Sequence, residues 1–399
     1  MFKKRVIDAF AEAGVKVGGL NADIVVKKER FYRRAALLST LGLGRSYMDG
    51  DFFCDDVRTA VLYPLGKLRY ERRLANPSRL PGHKPQSLPE RWIRAQLRFR
   101  DAQSIAASAS AIKYHYDRKE STFYERVLGP SMMYSCAYFH MTEDLTVAQG
   151  YKNRHIAEKL DLRPGDKVLE IGCGWGMSLA QMAALYPGVI FYGITISKAQ
   201  YNSCLKTHKA LIDAGRLKFY LMDYREIPEK FPDDKVTGEK FFDAVFSIGM
   251  LEHVGPDYYD EFFWVIRQCV KLYRPVVIHS IYGNGGIDPF TWYEGFPGGI
   301  VPTEGQIMTA ATRYFKFLHG ENFGPFYSKT LRAWRSNLLA AEQELLDLGY
   351  PERLIRKFDF SYALWDVGFE ISQTQLNQLT FAVGGIPGTY QWDLRDYSH

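Results

Sequence analysis

Between Asp161 and Ile281 the chain alternates short apolar runs with stretches of helical periodicity. The strand candidates are Lys167–Ile171, Val189–Ile196, Leu217–Met222, Phe242–Ile248 and Pro275–Ile281. Apolar runs of this length, separated by helical segments, predict a mostly parallel sheet covered on both faces, an α/β fold. In that architecture ligands bind outside the carboxyl ends of the strands, beside the point where strand order reverses. The residues at those ends are Gly172–Gly176, Thr195–Gln200, Asp223–Tyr224, Glu252–His253 and His279–Ile281. Each end carries polar or glycine residues after an apolar run. At the start of the chain, Phe2, Val6, Ala9, Phe10 and Ala13 fall on one helical stripe, with Lys3, Lys4, Asp8 and Glu12 elsewhere. That helix is expected to dock on its own domain in preference to a lipid interface. Pro77, Pro81, Pro85 and Pro89, with Gly82, forbid helix and disfavour sheet over 76–90, which reads as a semi-rigid linker. The expected organisation is a domain over 1–75, a proline-rich linker and connecting helix over 76–110, and a larger domain over 111–399.

Composition narrows the class. The 399 residues are 46% hydrophobic and 15% aromatic, enough for a large core rich in rings. The five cysteines (Cys54, Cys136, Cys173, Cys204, Cys269) are scattered and form no CxxC pair, so neither a disulfide framework nor a zinc site is expected, and a reducing cytosol fits. No stretch approaches the roughly 20 apolar residues of a membrane span. The net charge of +6 is uneven: residues 1–110 hold 21 Lys+Arg against 11 Asp+Glu, while the remainder is slightly acidic. A basic patch of this kind attracts nucleic acid or an anionic membrane surface, and a solvated charged face is the plain alternative.

The chemistry is announced by VLEIGCGWGMS, Val168–Ser178. An apolar strand runs into Gly172, Gly174 and Gly176 and then into a helix pattern. Glycines let the backbone turn sharply and admit a ligand at close range, and the turn points unpaired N–H groups at it. Glu170 is placed to accept hydrogen bonds from that ligand. A dinucleotide fingerprint would require G-x-G-x-x-G, but Met177 stands where its third glycine belongs. The E-x-G-x-G-x-G spacing instead resembles that of S-adenosylmethionine (AdoMet) methyltransferases.

Further segments make the resemblance specific. GLGRSYMDGDFFCDD (Gly42–Asp56), MMYSCAYF (Met132–Phe139), GITISKAQ (Gly193–Gln200), MDYRE (Met222–Glu226), SIGMLEHVGPDYY (Ser247–Tyr259), IHSI (Ile278–Ile281) and FGPFY (Phe323–Tyr327) resemble the cyclopropane fatty acid synthase family, AdoMet-dependent enzymes of unsaturated phospholipid acyl chains. The resemblance implies a Rossmann-like, mostly parallel seven-stranded sheet with a smaller, mainly helical N-terminal domain that associates with lipid. It implies AdoMet contacts at Tyr134, Ser135, Gly172, Gly174, Gly176, Thr195, Gln200, Asp223 and Tyr224. It also implies a bound bicarbonate acting as general base, held by Cys136, Glu252, His279, Ile281 (through its backbone) and Tyr327, with no metal. The expected partners are phospholipid acyl chains at an anionic membrane surface, with no nucleic acid, and a homodimer. The expected location is the cytoplasm, peripheral to the inner face of the cell membrane.

The reaction explains the residue types. An isolated alkene is a poor nucleophile, and methyl transfer to it leaves a carbocation that water would quench. The site must be dry, ring faces can stabilise the cation, and a base must take a proton so that the ring closes. Trp292 and Tyr293, beside Phe296-Pro297-Gly298, are candidate cation stabilisers. Departures from the family pattern at HYDRKES (His115–Ser121), LYRPVV (Leu272–Val277), Trp365 and GFE (Gly368–Glu370) bear on acyl specificity and product. A methyl-branched or methylene product, or a small-molecule amine N-methyltransferase, are the alternative readings.

Overall fold

A computed structural model describes residues 1–75, 88–89, 91–92, 121–283, 288–297 and 299–386. The 76–110 linker therefore lies almost wholly outside the described residues, as do 115–120 of HYDRKES and Gly298.

A seven-stranded sheet organises the larger part of the chain. Its strands are β4 (Lys167–Ile171), β5 (Ile190–Thr195), β6 (Leu217–Leu221), β7 (Ala244–Ile248), β8 (Pro275–Gly283), β9 (Lys316–Asn322) and β10 (Thr374–Ala382), in spatial order β6-β5-β4-β7-β8-β10-β9. The five expected strands are β4 to β8, each within a residue or two of its expected ends. They pair in parallel, and β10 runs antiparallel to both β8 and β9. Strand order reverses between β4 and β7, so a crevice opens there at the carboxyl ends. The central strands are β-branched and aromatic on both faces, as Val168, Leu169, Ile171, Val245 and Phe246 show by being fully buried under flanking helices.

The N-terminal region is mainly helical, with a small sheet of β1 (Val17–Gly18), β2 (Ile24–Val26) and β3 (Phe52–Phe53). Val6 and Phe10 of the first helix are buried in a cluster with Phe31, Leu43 and Phe52. Phe290, Phe360, Ala363 and Val367 of the larger domain belong to the same cluster, so the two parts share one core. The expected docking of the first helix holds.

GLGRSYMDGD supplies much of this junction. A Cβ on Gly44 would collide with the Phe290 ring, so only glycine permits the approach. Arg45 donates to Glu294 at 2.7 Å, while the fully buried Asp51 accepts from Arg30 (2.8 Å) and Arg34 (2.9 Å). Arg58 pairs with Asp366 and Glu370, and Arg335 with Asp56 at 2.7 Å. Part of the basic charge of the first quarter is thus spent on internal ion pairs.

Candidate active site

The turn after β4 places Gly172, Gly174 and Gly176 at φ values of 83°, 55° and 75°, the left-handed region that excludes most side chains. The N–H groups of Gly172 and Cys173 donate to Ile194 of β5 at 3.1 and 2.9 Å, which fixes the loop at the sheet edge of the crevice. There a cavity of about 150 Å³ is lined by Tyr134, Ser135, Gly172, Gly174, Thr195, Gln200, Asp223 and Tyr224. Gly176 is the exception among the expected contacts. It caps the helix Met177–Leu185, and a Cβ there would meet the Phe219 ring at 2.7 Å, so its demand is packing.

Polar groups around this cavity are set in advance. Thr195 donates its hydroxyl to the Gln200 carboxamide oxygen at 2.9 Å, leaving the NH₂ as the group Gln200 can offer. Asp223 forms a capping box with Glu226 and is nearly inaccessible. Glu170 is 3% exposed and its Oε2 has no hydrogen-bond partner among the described residues. Burial pushes its carboxyl up to about 8, with Lys152 pulling the other way. An orphaned buried carboxyl asks for a cationic or donor ligand. Glycine turns that admit close approach, an amide donor and this carboxyl together fit AdoMet, whose amino-acid end carries an ammonium.

The second group of expected residues meets around Phe323 and Ile281. His279 and Ile281 are two apart on β8 and therefore share a face. The Ile281 N–H donates to Glu252 Oε1 at 2.6 Å, while Glu252 Oε2 has no partner among the described residues. Burial raises the Glu252 carboxyl to about 7. His279 is 1% exposed, both ring nitrogens lack partners among the described residues, and burial keeps its pKa well below the ordinary value. The His279 ring lies 6.0 Å from that of Phe323, and Cys136 Sγ sits 3.8 Å from the Phe323 carbonyl oxygen. Burial pushes the Cys136 thiol up, so it stays a neutral thiol. Cys136, Ile281 and Tyr327 lie in one apolar cluster with Phe323 and Trp334. Three unpartnered buried polar atoms with a backbone N–H beside them suit a small oxyanion with donors and acceptors, and bicarbonate fits that description.

Alongside lies a larger cavity of about 280 Å³, lined by Glu252, Ile281, Tyr327, Trp292, Phe296, Trp334, Trp365 and Phe369, and at one side by Thr40, Leu62, Gly66, Arg69 and Arg73 of the N-terminal region. It shares Tyr134, Gly249 and His253 with the first cavity, so the two lie side by side against these residues. The His253 imidazole is held neutral there, its pKa lowered to about 4 by burial. Rings crowd this junction. Tyr134 lies 5.0 Å from Trp334 and 6.1 Å from Phe296, which stacks on Trp365 at 5.1 Å. Trp292 lines the cavity, whereas Tyr293 is not among its lining residues. Cys136 and His279 are not among the lining residues of either cavity.

Sequence reasoning missed Trp334, the role of Phe323 and the buried helix Leu145–Lys159. Trp334 and Phe323 carry no motif of their own, but Leu145–Lys159 bore a legible signal. Its inward face is polar, with Gln149, Lys152, Asn153, His155 and Lys159 all buried, the reverse of ordinary amphipathic order.

Comparison with known proteins gives three findings. The family model for mycolic acid cyclopropane synthetase matches residues 103–379. The cyclopropane-fatty-acyl-phospholipid synthase of Escherichia coli K12 is 34% identical over 381 residues, covering 94% of this chain and 92% of its own, and a probable fatty acid methyltransferase of Mycobacterium tuberculosis is 32% identical, covering 87% and 84%. Among solved structures, mycolic acid cyclopropane synthase CmaA1 complexed with SAH and CTAB is 26% identical with a TM-score of 0.61, covering 69% of this chain and 98% of its own.

Proposed function

The chain belongs to the mycolic acid cyclopropane synthetase family and is an AdoMet-dependent methyltransferase, and from that premise we propose that it adds a methylene carbon from AdoMet to the cis double bond of unsaturated phospholipid acyl chains, closing a cyclopropane ring. The observation that carries this reading is the junction at Tyr134, Gly249 and His253, where a pocket suited to AdoMet adjoins an aromatic cavity. The E. coli relative, aligned over nearly its whole length, bears the name of that activity.

When bound, AdoMet supplies an electrophilic methyl carbon on sulfur. Tyr134, Phe296, Trp334 and Trp365 keep water from the olefin and offer ring faces to the carbocation left when the new C–C bond forms and the C–S bond breaks. A proton must then leave the added carbon, whose C–H electrons close the ring. Glu252, His279, Cys136 and Tyr327 would hold bicarbonate as the base that accepts it, with the Ile281 N–H orienting Glu252. Glu252, with its carboxyl near 7, is protonated in part at neutral pH and can donate to an oxyanion. No carboxylate of the protein then needs to face the sulfonium directly, where it could itself be methylated.

Residues 1–75 complete the acyl cavity, and Arg69 and Arg73 at its rim favour an anionic lipid surface. No helix among the described residues is long and apolar enough to cross a membrane; it is the lipid reading that carries with it peripheral attachment at the cytoplasmic face of the membrane. A methyl-branched product is the second reading, supported by the fatty acid methyltransferase relative. The test is incubation with AdoMet and liposomes of monounsaturated phosphatidylglycerol, followed by mass spectrometry of the acyl chains. The expected result is a chain heavier by one methylene. Unmodified chains with folded protein that binds SAH would overturn the lipid assignment while leaving the cofactor assignment standing.

A further inference from the structure

Two lysines on the helix Leu145–Lys159 are completely buried, Lys152 and Lys159, seven residues and two turns apart. The charge of Lys159 is met inside the protein: it pairs with Glu321 and donates to Gln378 Oε1 at 2.7 Å. Lys152 has no carboxylate within ion-pair distance among the described residues. Its Nζ donates to Ser135 Oγ at 2.9 Å and lies 3.5 Å from Met133 Sδ. Burial lowers the Lys152 pKa to about 8, while Glu170, beyond ion-pair distance, pulls the other way. A buried ammonium without an ion-paired partner favours a further anion at its contact.

The chemistry of the contact indicates where that anion sits. An ammonium can only donate, so Ser135 Oγ is the acceptor in this bond and its own hydrogen must point elsewhere. Gln149 fixes the other side of the residue, donating from Nε2 to the Ser135 carbonyl at 2.8 Å. Ser135 lines the AdoMet cavity, and so does Glu170, whose Oε2 has no partner among the described residues. A cation-backed hydroxyl donor and a carboxyl on one cavity are the complement of an α-amino acid zwitterion.

We propose that Lys152 is a positioning residue for AdoMet: it holds Ser135 as a hydroxyl donor, and supplies the counter-charge, to the carboxylate of the methionyl group. Lys152 stays behind Ser135 and touches no reacting atom. This inference rests on the cofactor assignment of the cavity and adds the residue that reads one end of the cofactor.

The test is equilibrium binding by calorimetry of SAH and of its decarboxylated analogue, in which the carboxylate is replaced by hydrogen. The wild type is expected to prefer SAH. Lys152→Met should lower SAH affinity ~10-fold, the scale of one charge-assisted hydrogen bond, and leave the analogue within ~2-fold. Ser135→Ala, which keeps the buried lysine, should lose the same discrimination and guards against a Lys152→Met protein that does not fold. Equal losses for both ligands would reduce Lys152 to a structural role and overturn the proposal. Unchanged SAH affinity, with only the bicarbonate dependence of turnover altered, would overturn it in favour of the neighbouring anion pocket. A wild type that binds neither ligand would instead fail the cofactor assignment, and this proposal with it.

Discussion

The pocket at the strand ends and the aromatic cavity beside it meet at Tyr134, Gly249 and His253, yet they are built on different plans. Most of the first comes from the residues just past β4, β5, β6 and β7, so those contributors stand at the ends of apolar runs. The second gathers residues from Thr40 to Arg73, Glu252 to Val301, and Tyr327 to Thr374. One is fixed by backbone turns, the other by side-chain packing between two parts of the chain. On the proposed function the labour divides accordingly: turn geometry would hold a constant cofactor, while a packed wall of rings could change its shape to select an acyl chain without disturbing the cofactor.

Mutations that separate the two functions would make that contrast quantitative. Glu252→Gln should cost the most, about 10²–10⁴-fold in turnover on lipid, the usual range for loss of acid–base assistance. SAH binding should stay within ~2-fold, and a parallel loss of binding would erase the distinction. Phe296→Leu should come next, lowering turnover about 3–30-fold through the lost ring face and again sparing SAH affinity. Gly44→Leu tests the shared core instead, because its side chain would drive into Phe290. It should lower stability by about 1–3 kcal/mol, read as an earlier thermal midpoint, and an unchanged midpoint would show that the two parts dock loosely. Arg69→Ala with Arg73→Ala should raise the apparent KM for anionic liposomes about 3–10-fold at low salt and converge with the wild type at high salt.

The smallest effect concerns the cofactor pocket without ligand. The folded-state pKa of Glu170 is raised to about 8 from the ordinary 4.5. The folded protein therefore binds a proton that the unfolded chain has released, and stability falls as pH rises from about 4.5 to about 8. Relative to wild type, Glu170→Gln should gain a few degrees in thermal midpoint across that window, and the gain should level off above it. A difference that stays flat with pH would show that Glu170 is ionised in the folded protein.

Much of the fold could be read from patterning, because parallel strands buried on both faces leave continuous apolar runs such as Pro275–Ile278. The last two strands escaped. β9, KFLHGEN, is a polar edge strand, and in β10 Gln378, Thr380 and Asn377 are buried among Leu376, Leu379 and Phe381, so neither shows a run or a clean alternation. At the site, Gly172, Thr195, Asp223 and His279 were legible as strand-end residues, and Cys136 only through resemblance. Trp334, Trp365 and Lys152 are defined by what approaches them from far along the chain. Local spacing carries no trace of that, except where a helix buries its polar face.

If a methyl donor in one cavity meets an acyl chain in the other, and a proton is removed before the product leaves, the fate of the methyl hydrogens records both events. AdoMet labelled as CD₃ would be supplied with monounsaturated liposomes, and the product followed by mass spectrometry and hydrogenation. The expected product has an added carbon that keeps two deuterons, in a chain that has lost its olefin and takes up no hydrogen under mild conditions. A chain that keeps all three deuterons, or lipid with no label at all, would contradict the mechanism.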